Sequence, residues 1–280
     1  MNVIEDIKNL TETTLVSYMD QLPTNAEFRL AAKDAITRKG NRYRPLVTAT
    51  TYSMLGGDYN KVISTGAGLE ALHIMSLVAD DLPVYDDSAL RKGEPAIHIK
   101  YGPVATMGAL FHLFSLGNHL ITLNAHEHAA NIRNISSIVY GSINEMILGQ
   151  ELDIKRPRVT AEVCEATRRK NIVYLPACVL PALLLKKDEL VPKLDSIGRD
   201  ISYGHQLIDD LSDVMCNEEQ TGKPVGQDED TLVIRYGVEA AKNELKEVRD
   251  RAIAHIRSIK SGTQLEQIIQ KILNPPFLTN

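Results

Sequence analysis

Two groups of carboxylates stand out for their types and spacing. Asp80-Asp81-Leu-Pro-Val-Tyr-Asp86-Asp87 sets four acids within eight residues, after apolar Leu77 and Val78 and before Arg91-Lys92-Gly93. Asp209-Asp210-Leu-Ser-Asp213 sets three more inside a helical stretch. On a helix Asp209 and Asp213, four apart, lie on one face, where like charges repel by a few tenths of a kcal/mol. A hard divalent cation offsets that repulsion, and Mg²⁺ binds through a few carboxylates plus substrate phosphates rather than an all-protein cage. A lone acidic run is usually a solvated face or a cap. Here both runs follow strongly apolar segments, and each has cations downstream: Arg91 and Lys92 after the first, Lys223 after the second. Carboxylates for metal with Arg and Lys for phosphate make the chemistry of a diphosphate clamp.

The elements that must position these groups are helices. Apolar residues recur at helical spacing and no stretch alternates with period two. The pattern predicts helices over 3–19, 26–37, 45–55, 61–80, 104–123, 128–152, 160–185, 189–216, 232–258 and 264–273. Breaks fall at Gly56-Gly57, Pro83, Gly102-Pro103, Pro157 and from Gly222 to Gly226, none of them long enough to be a linker. The expectation is an all-α fold, one domain over 1–280, with about ten helices around a central apolar cavity. Segments 61–80 and 104–123 are apolar on nearly every face, which predicts burial in the middle of the bundle. His73 and Asp80 on the first of them must then face something other than core.

Composition narrows the partners. The 280 residues carry 31 basic and 36 acidic side chains, a net charge of -5, which gives no general attraction to nucleic acid or anionic lipid. An anionic ligand must therefore be held by local cations or by metal. The content is 44% hydrophobic but only 5% aromatic, without Trp, so the core is aliphatic. Cys164, Cys178 and Cys216 form no CxxC pair and read as reduced core residues, consistent with a cytoplasmic protein. The N-terminal residues show no cationic flank before an apolar stretch, and Val173–Leu185 is too short and Pro-interrupted for a membrane span. His112, His119, His126 and His128 lie within seventeen residues, but without HExxH or nearby Cys they read as packing or surface residues.

Taken in order, the motifs resemble the trans-isoprenyl diphosphate synthases, or polyprenyl synthetases, of the class I terpenoid synthase fold. Gly40-Asn-Arg42-Tyr-Arg44-Pro45 resembles their opening basic motif, and Leu69-Glu70-Ala-Leu-His73 precedes the longer form of their first aspartate-rich motif. Arg91-Lys92-Gly93-Glu-Pro95-Ala-Ile-His98, Gly149-Gln150-Glu-Leu-Asp153, Lys170 and Gly204-His-Gln206-Leu-Ile-Asp209-Asp210-Leu-Ser-Asp213 follow, ending with Lys223 and Asp228. The resemblance implies Mg²⁺, three ions per active site, on Asp80, Asp86 and Asp209, with Asp81, Asp210 and Asp213 beside them. It implies that Arg91, Lys170 and Lys223, helped by Gln150, Asp153 and Gln206, grip an allylic diphosphate. Ionising the allylic C–O bond leaves a diphosphate anion that metal and cations stabilise, and a carbocation that needs a dry apolar pocket.

The same resemblance assigns isopentenyl diphosphate, the second substrate, to Arg44, His73, Lys92 and position 41, where Asn41 replaces the usual Lys. Lys92 also replaces an Arg, Asn171 a Thr and His205 a Phe, so the departures weaken the isopentenyl half more than the metal half. Elongation to a C15–C20 prenyl diphosphate is the leading expectation. A terpene cyclase acting without isopentenyl diphosphate is the alternative, and a non-catalytic subunit the third reading. Met75 and Ser76, with Phe111 and Phe114 from the neighbouring helix, are expected to floor the chain-length pocket. A homodimer through 104–123, binding small prenyl diphosphates and no nucleic acid, completes the expectation.

Overall fold

The computed structural model describes residues 2–128, 132–154, 168–217, 221, 225–226 and 231–278. The helices are α1 (Val3–Asp20), α2 (Glu27–Thr37), α3 (Tyr43–Met54), α4 (Ile63–Asp80), α5 (Ile97–Glu127) and α6 (Ile132–Ile154). After them come α7 (Tyr174–Leu184), α8 (Val191–Met215), α9 (Leu232–Tyr236), α10 (Val238–Ile259) and α11 (Gln264–Ile272). The fold is all-α, as the helical periodicity predicts.

Local chemistry sets the boundaries. Asn2 caps α1 by accepting the Ile4 N–H at 3.1 Å, and Thr263 caps α11 by accepting the Glu266 N–H at 3.3 Å. The long α5 is broken at Gly102, whose φ of 75° and ψ of 169° no helix contains; Pro103 then restarts it with a preset φ. Gly237, at φ 86°, likewise divides the predicted 232–258 helix into α9 and α10. The predicted 160–185 helix lies partly outside the described residues, and a turn at 171–173 separates Lys170 from α7. The periodicity also missed a small hairpin, β1 (Leu90–Arg91) with β2 (Glu94–Pro95), pairing Arg91 with Glu94. Lys92 and Gly93 form its turn, both at positive φ (56° and 79°), as a two-residue primed turn requires.

Helices α1, α2, α4 and α5 pack around one aliphatic cluster; α3, α7, α8, α10 and α11 pack around another. Met75 of α4 touches both. Helix α4 crosses α5 so closely that a Cβ on Gly68 would stand 2.6 Å from the Gly117 carbonyl oxygen. By length and composition 59–80 and 97–127 are apolar enough to cross a membrane, but the first is 67% buried within the bundle, as a core helix is.

Helix α5 departs from the expectation of burial on every side. Val104, Met107, Phe111 and Phe114 form an outward stripe, exposed by 85%, 44%, 69% and 43%. An all-round apolar sequence marks contact on all faces without saying what makes each contact, and no other described element covers this one.

Candidate functional site

The opening basic loop is fixed by a buried arginine. Arg42 sits in the left-handed region, at φ 53°, a cost that its guanidinium offsets by bonding Glu70 Oε1 of α4 (3.2 Å) and the Ile36 and Arg38 carbonyls. This anchoring sets residues 38–44 against α4 and the hairpin. Between them lies a basic cavity of about 480 Å³, with Lys39, Asn41, Arg44, His73, Arg91 and Lys92 in its wall.

A second cavity, of about 190 Å³, opens beside it. His73, Leu77 and Arg91 belong to both walls. Three carboxylates converge here. Asp80 ends α4, and the following loop folds back so that the Asp86 N–H donates to the Asp80 carbonyl at 2.9 Å. Asp209 arrives from α8, with Gln206 one turn before it. Gln150 of α6, Lys170, Asn171 and Ser76 add to the polar part, and Met75, Met146 and Ile147 to the apolar part. Helix α6 reaches this wall because Gly149 lets it pass the 169–170 backbone: a Cβ there would meet the Lys170 nitrogen at 2.9 Å.

The electrostatics follow from this crowding. Burial, then the neighbouring Asp86 charge, push the Asp80 carboxyl up to about 7, against the opposing pull of Arg91 and Lys170. Burial, reinforced by Arg44, holds His73 well below the usual imidazole range, so it is a neutral hydrogen-bonding group. Lys170 is paired with Asp153 at 2.7 Å, and Arg91 with Asp81, Nε to Oδ1 at 2.9 Å. Among the described residues no three His, Cys, Asp or Glu side chains come close enough to cage a metal by themselves. Hard carboxylate oxygens on two sides of one hollow nevertheless fit a magnesium ion that takes its other ligands from phosphate and water.

The expected acidic residues therefore divide. Asp80, Asp86 and Asp209 line the second cavity. Asp81 does not: it is buried, turns into the wall of the basic cavity and binds Arg91. Successive helical residues point about 100° apart, so adjacent aspartates at the end of α4 serve different cavities. Asp210 is buried and accepts from Gln206 Nε2 at 2.9 Å; Asp213 is buried too, and neither lines either of these two cavities. Asp153 acts by holding Lys170 rather than by facing the hollow. Lys223 and Asp228 lie outside the described residues. Phe111 and Phe114 line neither cavity, because both stand on the outer face of α5; Met75, Met146 and Ile147 line the second one.

One residue whose role sequence reasoning missed links the two cavities. Asn171 accepts from Arg44 Nη2 (3.1 Å) through Oδ1, while Nδ2 donates to Gln206 Oε1 (2.7 Å) and Asp209 Oδ2 (3.2 Å). Its only sequence signal is its place beside Lys170, where a departure from the usual Thr reads as loss. Arg44 also stacks on the buried Tyr174 ring, 4.5 Å from its centroid.

Comparison with known proteins agrees with this architecture. Residues 25–272 match the sequence model of the family described as polyprenyl synthetase. Farnesyl diphosphate synthase of Micrococcus luteus is 30% identical over 261 residues, covering 86% of each chain. Geranylgeranyl diphosphate synthase of Methanosarcina mazei is 28% identical over 81% of this chain and 72% of its own. A Helicobacter pylori geranyltransferase, solved with magnesium and isoprenyl diphosphate, superposes with a TM-score of 0.80 at 22% identity, covering 98% and 97% of the two chains.

Proposed function

The chain belongs to the polyprenyl synthetase family, and on that premise we propose that it is a trans-prenyltransferase, elongating an allylic diphosphate with isopentenyl diphosphate to a product with a trans double bond. The observation that carries this reading is the pair of cavities, one acidic at its mouth and one basic, sharing His73, Leu77 and Arg91. A cyclase needs one diphosphate site; a basic cavity beside it is what a second diphosphate requires. Asp80, Asp86 and Asp209 would hold magnesium, three ions per site in this reading. Bound there, the metal supplies charge stabilisation for the departing diphosphate.

The residues of the chain do the rest. Lys170 and Gln150 face the same diphosphate, and Asp153 steadies Lys170. Arg91, held by Asp81, lies between the two substrates and reaches both diphosphates. Heterolysis of the allylic C–O bond releases diphosphate; the isopentenyl double bond then supplies the electron pair for a new C–C bond. Loss of a proton from the adjoining carbon restores an allylic product five carbons longer. Met75, Met146 and Ile147 would exclude water from the cation and, with Ser76, limit the chain to C15–C20. The outward stripe of α5 supports a homodimer, with a second copy covering Phe111 and Phe114. Free Cys178 and Cys216 accord with a cytoplasmic setting.

The test is product analysis with C5, C10 and C15 allylic diphosphates in Mg²⁺. Turnover only when isopentenyl diphosphate is present, yielding longer prenyl diphosphates, supports elongation. Hydrocarbon or alcohol formed without it would establish the cyclase instead.

A further inference from the structure

The charges around the basic cavity do not balance, and the surplus sits where the resemblance implies a loss, at Asn41. Six cationic side chains line it: Arg38, Lys39, Arg42, Arg44, Arg91 and Lys92. Three are neutralised by acids: Arg38 by Asp34, Arg42 by Glu70 and Arg91 by Asp81. Among the described residues no carboxylate pairs with Lys39, Arg44 or Lys92. A diphosphate ester carries roughly three negative charges near neutral pH, nearly two on its terminal phosphate. The three unmatched cations equal that charge.

The arginines at the back of the cavity are held in place by burial. Arg44 and Arg38 are only 3% and 6% exposed, yet both contribute to its wall. The loop that follows Arg38 runs against Lys92: a Cβ on Gly40 would stand 3.2 Å from the Lys92 ammonium. Lys39 and Asn41 flank that glycine, and both line the cavity. Asn41 offers an amide dipole but no charge; Lys39, exposed at the rim, offers the charge two residues earlier.

We propose that Lys39 is a direct ligand of the diphosphate of isopentenyl diphosphate, supplying the cation that position 41 lacks. This rests on the elongation reading. With Arg44 and Lys92 it completes a three-cation grip on the second substrate, so the opening motif is rearranged here rather than lost. The exposed ammonium also makes the grip sensitive to salt.

The experiment is steady-state kinetics of wild type, K39Q, K39R and the double variant K39Q/N41K, varying each substrate in turn. K39Q should raise the KM for isopentenyl diphosphate about tenfold, the lower end for a charge-assisted contact at an exposed rim. Its kcat and its KM for the allylic substrate should stay within twofold. K39R should stay near wild type, and K39Q/N41K should recover most of the lost affinity. An unchanged isopentenyl KM in K39Q, or an equal rise for both substrates, would overturn the assignment. A wild-type enzyme that never consumes isopentenyl diphosphate would overturn the elongation reading, and this proposal with it.

Discussion

Asp80 carries opposing demands: the magnesium role proposed for it requires ionisation, yet burial and the neighbouring Asp86 disfavour its charge. Its folded-state pKa, about 7, lies above the ordinary value of 3.8, so between those values the folded chain holds a proton the unfolded one has shed. The contribution of this group to stability is therefore full at low pH and falls as pH rises towards 7. Asp80→Asn should raise the melting temperature in EDTA at pH 8 and lose that advantage as the pH approaches 4; a lower melting temperature at pH 8 would contradict the burial argument. The same substitution, like Asp209→Asn, should reduce turnover in saturating Mg²⁺ by on the order of 10²–10³-fold, the range for removing one stabiliser of developing charge. Asn171 is a different case, since its amide steadies Arg44 on one side and Asp209 on the other. Asn171→Ala should raise the KM for both substrates, whereas a change confined to the isopentenyl substrate would show that the Asp209 contact is idle.

At the scale of elements, the precision of the site depends on how closely helices approach. The α4–α5 crossing brings Gly68 and Gly117 carbonyls within reach of each other's missing side chains. Gly68→Ala should destabilise the fold by about 1–3 kcal/mol through overpacking, read as a lower urea midpoint at unchanged slope. The helices themselves were legible in the sequence, because aliphatic residues at i, i+3 and i+4 report a buried face whatever the neighbour. So were the carboxylates of the second cavity, since the ends of apolar helices are poor places for solvated acids. The division between Asp80 and Asp81 was implicit in helical geometry, but only the packing says which cavity each direction reaches. Asn171 was not legible: its partners come from residues 44, 206 and 209, and their meeting is a tertiary event. Phe111 and Phe114 stand on the outside instead of in a pocket, because an apolar side chain on an outer face has the same sequence pattern as one facing a pocket.

For the whole molecule, that outward face and the paired cavities define the working unit. If the proposed homodimer forms through this face, wild type should sediment as a dimer and Phe111→Glu as a monomer; dimers unchanged by the substitution would place the interface elsewhere. Met146→Ala should lengthen the product by removing part of the floor, and Phe111→Ala should leave product length unchanged. The central claim is that two diphosphates occupy adjoining cavities, one through metal and one through arginine and lysine. Its most direct measurement is equilibrium binding of isopentenyl diphosphate and an unreactive thio analogue of an allylic diphosphate, separately and together, with Mg²⁺ and with EDTA. One of each should bind per chain at the same time, the allylic analogue only with Mg²⁺ and isopentenyl diphosphate in both conditions. Mutual displacement of the two ligands, or isopentenyl binding that vanishes in EDTA, would contradict it.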